Sequence, residues 1–248
     1  LVSTKIVFFI AILGAAITMY WLGSTVYGKA GGFLSALLYT YAPYHAVQLY
    51  IRGALGEAWV MIFLPLVALG LIHIILYRKR KAGMLLCGLG LAGIIVSHTV
   101  LGYVSIVLFS LCIVLSWLIE LWNKAHHTIV LDLIVSLTIG LGLTSFFWIP
   151  AVTEMNATNV ASQIGPTANF KDHFVCLSQL WDSSWGFGGS APGCIDGLSF
   201  RIGKIHILLS AIAFVGILLK RKTYGPVVMV VFFSLLFSLL STFFLLGI

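Results

Sequence analysis

Long apolar runs, separated by short polar stretches, dominate this chain. They cover approximately residues 5–23, 31–50, 58–77, 82–99, 101–122, 128–149, 204–219 and 226–248. A helix rises about 1.5 Å per residue, so about 20 apolar residues match a hydrocarbon layer of about 30 Å. The runs are continuous rather than alternating, which favours helices over strands. We therefore predict an all-α fold, a polytopic transmembrane helical bundle of about eight spans.

Two prolines are expected to interrupt these helices, because proline lacks the N–H that the helical ladder requires. Pro43 lies inside the second run and predicts a kink or a break there. Pro150 follows the aromatic sequence "FFWI" and is expected to end the sixth helix.

Composition and charge support a membrane location and indicate an orientation. Hydrophobic residues make up 60% of the chain and charged residues only 8%, with a mean hydropathy of +1.10. The net charge of +7 does not indicate nucleic-acid binding, because Lys and Arg in short loops report membrane orientation. The clusters "RKRK" at 78–81 and "KRK" at 220–222 are therefore placed on the cytoplasmic side. An even number of predicted spans separates them, as this placement requires.

This orientation puts residues 50–57, residues 98–101 and a long loop, 150–203, on the external face. The loop connects spans six and seven, and residues 1–248 form a single integral-membrane domain. The chain begins at Leu1 near one apolar run and stops inside another, so we expect it to be a fragment of a longer protein.

The sequence "YAPYHAVQLYIRGALGE" at 41–57 is unusually polar for a membrane segment. On a helix, one stripe is shared by Tyr41, Tyr44, His45, Gln48 and Arg52, because spacings of three and four residues return to the same face. Glu57 follows in the first turn of the next helix, where the helix dipole favours a carboxylate. Either Arg52 and Glu57 pair and anchor the helix ends, or Arg52 is the cation of a pocket for an anionic group.

Two further polar residues lie at predicted external helix ends. His98, in "SHTVLGY", is either a helix cap or a member of the pocket. Glu154 follows the aromatic boundary "FFWIPAVT" and is either a solvated carboxylate or part of a site.

The external loop is rich in aromatic residues, Gly and Ser, and it contains His173, Asp182 and Trp185. This composition suits a sugar or another flat, hydroxylated ligand, and it also suits a loop lying on the membrane surface. Cys176 and Cys194 lie on the side where disulfides persist, and the sequence leaves open whether they are bridged. No CxxC or HExxH pattern supports a metal site.

Together these motifs resemble a family. The pattern "YxxxPYHxxxxYxRGALGE" at 39–57, "SH" at 97–98, "FFWIPAVTE", and "HFV…QLW…SWGFGGS…DGLSF" resemble the 6-pyruvoyl-tetrahydropterin-synthase-related membrane proteins. That family is similar to the C-type (GT-C) polytopic glycosyltransferases. The resemblance covers nearly the whole chain, and it does not imply the zinc chemistry of soluble pterin synthases.

The resemblance implies an enzyme of a microbial cytoplasmic membrane that transfers a sugar from a polyprenyl-phosphate donor to a glycan or protein acceptor, on the external face. The catalytic acid of such enzymes lies in an early external loop, so the catalytic residue is unknown and is expected upstream of residue 1. A divalent metal, which such enzymes use in some cases, finds no supporting ligand pattern here. Arg52 with His45 would hold the phosphate, Glu57, His98 and Glu154 would shape the pocket, and His173, Asp182 and Trp185 would cover the acceptor.

Two alternatives remain open from the residues alone. A transporter or flippase of lipid-linked or small polar solutes would carry polar residues through the bilayer midplane, on short broken helices. A non-catalytic membrane assembly protein would have external polar residues that scatter or pair off. The lipid bilayer is the expected partner in every case, and nucleic acid is not.

Overall fold

A computed structural model describes residues 2–123, 128–158 and 174–219. The secondary structure of these residues is helical, with no strand among them. The α-helices are α1 (Val2–Thr40), α2 (Pro43–Ala46), α3 (Leu55–Ile75), α4 (Arg80–Ser97), α5 (Thr99–Trp122), α6 (Thr128–Leu143), α7 (Ser145–Thr153), α8 (Leu177–Trp181) and α9 (Lys204–Leu219). A π-helical turn covers Val47–Arg52, and a 3-10 turn covers Met155–Ala157.

Four of these helices, α1, α3, α4 and α5, are long and apolar enough to cross a membrane. The pair α6 and α7 is bent by 72° and makes a fifth crossing if it acts as one span. The chain is therefore a helical membrane protein with four to five membrane-crossing helices among the described residues. The last apolar run, 226–248, and the basic cluster 220–222 lie outside those residues.

Helix α1 folds back on itself at Gly28, whose φ of 75° is a left-handed conformation that glycine adopts readily. Gly23 lies against Gly32 and Ser35, so closely that a methyl group at Gly23 would overlap them. In a straight helix these two glycines would be about 13 Å apart, at 1.5 Å per residue. The two arms of α1 therefore lie side by side, which explains why the sequence contains two apolar runs here.

The break predicted at Pro43 is confirmed. Helix α1 ends at Thr40, and α2 begins at Pro43, the position in a first turn where a missing N–H costs no hydrogen bond. The expectation for Pro150 was wrong, because Pro150 lies inside α7 and the break falls earlier, at Thr144. Thr144 donates its hydroxyl to the Gly140 carbonyl at 2.8 Å and the Trp148 indole donates to the Leu141 carbonyl at 2.9 Å, so side chains satisfy the end of α6.

The chain divides into two compact units, and the first contains residues up to Tyr41 together with 53–159. In this unit α4 packs against α3, α5 and α6 around a buried cluster that includes Cys87, Leu91, Phe109 and Leu133. Gly70 lies directly against Cys87, where a side chain would meet the Cys87 sulfur and backbone nitrogen. Small residues at such crossings let membrane helices approach closely.

The basic turns of the first unit gather at one of its ends. Tyr77 donates a hydrogen bond to the Thr25 carbonyl at 2.9 Å, which places the Gly28 turn beside the turn at 78–81. Arg80 donates two hydrogen bonds of 2.7 Å to the buried Asp132 carboxylate, which joins the start of α4 to the start of α6. Lys29 and the "RKRK" cluster therefore lie at the same end of the first unit.

The second unit contains 42–52 and residues from 160 onward. Within it, Gly203, with φ of 106°, fits closely between Pro43 and His206, so that the start of α9 lies against the start of α2. The backbone N–H of Ile202 donates to the Leu180 carbonyl at 3.1 Å and joins α8 to the residues just before α9.

Candidate functional site

The predicted site residues are distributed over both units. The first unit carries Glu57, His98 and Glu154. The second carries Tyr44, His45, Gln48, Arg52, Asp182 and Trp185. His173 lies outside the described residues, and the predicted pairing of Arg52 with Glu57 stays a prediction.

The polar stripe predicted on 44–52 is confirmed for three of its members. Arg52 donates from Nη1 to the Tyr44 hydroxyl and to the Gln48 Oε1, both at 3.3 Å. The residues lie on α2 and on the π-helical turn that continues it. We name Tyr44, Gln48 and Arg52 the Arg52 cluster; His45 is half-buried on the same segment.

Within the Arg52 cluster, burial and exposure are divided between the residues. Gln48 is only 1% exposed, whereas Arg52 is an exposed residue. A buried amide has few rotamers, so its oxygen is a fixed acceptor for the guanidinium. Both acceptors are uncharged, and the two hydrogen bonds orient the guanidinium. A π-helical turn is rare and is frequent at functional sites.

Glu57 and His98 meet at the end of the first unit opposite the basic turns. Glu57 is buried in the first turn of α3, as predicted, and its Oε1 lies 3.8 Å from Nε2 of His98. Gly56 makes this possible, because the backbone of α3 lies against the Ser97 carbonyl there. The contact joins the start of α3 to the connection between α4 and α5.

His98 is the N-cap of α5. Its Nδ1 accepts a hydrogen bond of 3.3 Å from the Leu101 backbone N–H. An accepting Nδ1 carries no proton, so the neutral ring has its proton on Nε2, which faces Glu57. The cap interpretation of His98 is thus confirmed, and Glu57 is a partner that sequence reasoning did not connect to it.

The remaining candidates have simpler surroundings. Glu154 is exposed after α7, as the solvated-carboxylate interpretation expects. Asp182 lies 2.8 Å from Nη2 of Arg201, and both side chains are exposed. An exposed ion pair contributes at most about 1 kcal/mol of stability. Trp185 is half exposed, and the roles of Asp182 and Trp185 toward an acceptor stay predictions.

Sequence reasoning missed a buried polar network inside the loop. Cys176 and Cys194 form a disulfide, with their Cα atoms 5.6 Å apart. Gln179 accepts from the Cys176 backbone N–H and donates to Asp196, in both cases at 2.7 Å. The backbone N–H of Ala191 donates to the other Asp196 oxygen at 2.9 Å. The spacing Cys-x-x-Gln, in which a glutamine three residues on bonds back to the helix start, was the available signal.

Asp196 is a structural carboxylate of this network. Burial raises the pKa of Asp196, but hydrogen bonds from Gln179, Ala191 and Ser190 favour its charged form and together hold the pKa below its ordinary value. The Asp196 carboxylate therefore accepts hydrogen bonds that join α8 to the segment around Ala191.

Metal ligands are not grouped among residues 2–123, 128–158 and 174–219, since no three His, Cys, Asp or Glu side chains there could hold one ion. The polar side chains instead form separate small sets, of which the Arg52 cluster is best arranged to bind an anion. No family model matches the chain, and no curated protein or solved structure matches it.

Proposed function

We propose that this chain is a membrane glycosyltransferase-like protein of the C-type, which uses a polyprenyl-phosphate-linked sugar donor at the external face of the membrane. The observation that carries the proposal is the Arg52 cluster, in which an exposed guanidinium is held by a buried glutamine and a tyrosine. The motif resemblance supplies the substrate class, and the cluster supplies the chemistry that would recognise its phosphate.

A guanidinium suits a phosphate because its planar N–H groups match two phosphate oxygens at once. The hydrogen bonds to Tyr44 and Gln48 restrict the rotation of Arg52 before a ligand arrives. Less conformational entropy is then lost on binding, which raises affinity without a further contact. Tyr44 is itself exposed and its hydroxyl can donate to a phosphate oxygen.

The distribution of charge supports enzyme chemistry at a membrane surface more than transport through the bilayer. Among the described residues of the long membrane helices, the charged side chains lie near helix ends or, for Lys29, beside the Gly28 turn: Lys5, Lys29, Glu57, Arg80, Lys81 and Glu120. A transported polar solute needs polar groups near the midplane, where an uncompensated charge is costly.

One observation favours a second candidate, a transporter or flippase of lipid-linked or small polar solutes. Helices α6 and α7 are bent by 72°, and the chain breaks again between Thr40 and Pro43. Discontinuous helices are typical of transport sites. A third candidate, a non-catalytic assembly protein, is favoured by the pairing of Glu57 with His98 and of Asp182 with Arg201.

The proposal is tested by binding of a polyprenyl phosphate to the full-length protein, with the matching polyprenol as the ligand that lacks the charge. Arg52→Ala should weaken binding of the phosphate by about 10- to 100-fold, because hydrogen bonds to charged groups contribute about 1.5–3 kcal/mol each. Arg52→Lys should recover part of this loss, since it restores the charge without the fork. Arg78→Ala, at an exposed arginine of the basic turn 78–81, is the control and should bind as the native protein does.

Sugar transfer from a polyprenyl-phosphate donor should then fall in the same order, by a rise in the donor KM. Equal binding of the phosphate and the alcohol, or unchanged transfer in Arg52→Ala, would reject the proposal. Movement of a labelled donor between leaflets of a vesicle, without transfer to any acceptor, would favour the second candidate instead.

A further inference from the structure

Helix α8 has one buried and one exposed face, although it is only five residues long. Gln179 points into the loop and is buried with Asp196. Leu177 and Trp181, four residues apart and therefore on one side of the helix, are 67% and 53% exposed. The two side chains therefore form one exposed apolar face on an ordered helix.

The exposed face is held in place by covalent and hydrogen-bonded links. The disulfide from Cys176 to Cys194 closes the segment at the start of α8, and the Gln179–Asp196 hydrogen bond crosses the same closure. Ser183 and Ser199 bond to each other at 3.1 Å further along. We name residues 174–203 the clamped loop; two more apolar side chains within it, Phe187 and Ile195, are 77% and 80% exposed.

The clamped loop leads directly into an apolar helix. The Ile202 N–H donates to the Leu180 carbonyl at 3.1 Å, one residue from Trp181, and α9 begins two residues later at Lys204. The Lys204 ammonium lies 5.5 Å from the centre of the Trp181 ring. Helix α9 exposes apolar side chains beyond this point: Ile205, Leu208 and Ile212.

We propose that the clamped loop lies on the bilayer, with the Leu177–Trp181 face of α8 in the head-group region of the leaflet that α9 enters. The exposed apolar face of α8 lies next to the start of α9, whose own exposed apolar side chains suit a lipid environment. Tryptophan beside lysine and arginine is typical of the membrane interface, where the ring is apolar and its N–H and the cations meet water and head groups. Lys204 and Arg201 also complement anionic head groups in charge. This inference does not depend on sugar transfer.

The occupant is lipid rather than a soluble protein partner because the surface borders the apolar helix α9, which covers the run 204–219 that the sequence predicts to cross the membrane. The chain links that join them leave α8 little freedom to move away. A protein that covered Leu177 and Trp181 would itself have to lie at the membrane surface. The two occupants differ in one measurable respect, which is whether small apolar molecules dissolved in lipid reach the exposed face.

The experiment places a nitroxide on p-acetylphenylalanine at position 177 or 187 of the full-length protein, a chemistry that leaves all cysteines intact. The protein is reconstituted in nanodiscs of phosphatidylcholine and phosphatidylglycerol, and collisions with oxygen and with a water-soluble nickel complex are measured. Val107, exposed in the middle of α5, is the lipid reference, and Asn156, exposed after α7, is the aqueous reference.

Both loop positions should favour oxygen over the nickel complex more than Asn156 does, with ratios between those of Asn156 and Val107, as a head-group position requires. Ratios equal to that of Asn156 would overturn the proposal, since the loop would then be in water. Protection from both reagents would overturn it as well, because a protein surface would then be the occupant. Replacing phosphatidylglycerol by phosphatidylcholine should lower the oxygen preference, since the attraction of Lys204 and Arg201 to anionic lipid is lost.

Discussion

Gly56 holds the Glu57–His98 contact, and replacing it tests whether that contact depends on the approach of α3 to α4. A methyl group at Gly56 would overlap the Ser97 carbonyl oxygen and would reach within 3.5 Å of the His98 ring. A C–H to oxygen contact needs about 3.3 Å, so the two helix ends would have to separate by roughly 1 Å. Gly56→Ala should therefore destabilise the protein by about 1–3 kcal/mol, the usual cost of overpacking.

Gly142 is the matched control, because it is also a helical glycine but has nothing within 4 Å of where a methyl group would stand. Gly142→Ala should be neutral or stabilising by up to about 1 kcal/mol, since alanine has the higher helix propensity. The two substitutions have the same chemistry and opposite expected signs. Their difference isolates the contact with Ser97 from the general effect of replacing glycine.

Thermal unfolding in detergent can be followed with a thiol-reactive fluorophore in a Cys112→Ala background, because Cys112 is a free and only partly buried cysteine. The fluorophore then reports Cys87, a free, buried cysteine that becomes accessible on unfolding. About 1 kcal/mol corresponds to about 2–4 °C in a chain of this length, so Gly56→Ala should lower the Tm by about 2–12 °C. An equal Tm for the two variants, or a more stable Gly56→Ala, would refute the reasoning, since α3 and α4 would then not approach as described.

Three further predictions concern interactions outside this contact. Reduction of the Cys176–Cys194 disulfide should destabilise the clamped loop by about 3 kcal/mol, from the loop entropy of an 18-residue separation, and should appear as faster proteolysis within 174–203 under reducing conditions. The pKa of Asp196 is lower in the folded loop than in the unfolded chain, so its carboxylate stabilises the loop above about pH 3.9 and this stabilisation is lost as the pH falls through the folded pKa. Proteolysis of the unsubstituted protein by an acid protease should accelerate in that pH range. Asp196→Asn should remove the pH dependence. Arg80→Met should leave the buried Asp132 carboxylate without its guanidinium and lower the Tm. The loss in the free energy of unfolding should be less than the about 3–5 kcal/mol of a fully buried pair, because Arg80 is half exposed. Arg78→Met should have no such effect.

The membrane-crossing helices and the local arrangement of the Arg52 cluster could be predicted from the sequence. Transfer of a segment into lipid is a sum over its own residues, so the apolar runs sufficed to locate α3, α4 and α5 within a few residues. The break at Pro43 and the alignment of Tyr44, Gln48 and Arg52 are local as well, because they depend on one proline and on helical spacing. The position of Glu57 in the first turn of α3 followed from the same local reasoning.

Contacts between distant residues were decided by tertiary structure. Glu57 reaches His98 across 41 positions because α3 and α4 pack closely at Gly56, and no periodicity in either helix indicates this. The break falls at Thr144, where side chains satisfy the carbonyls at the end of α6, and α7 continues through Pro150. The path of the loop decides whether Cys176 and Cys194 pair. It also decides whether Asp196 accepts the hydrogen bond from Gln179. Hydropathy is a property of each segment by itself, whereas these contacts depend on the path of the backbone between segments, which the apolar pattern does not encode.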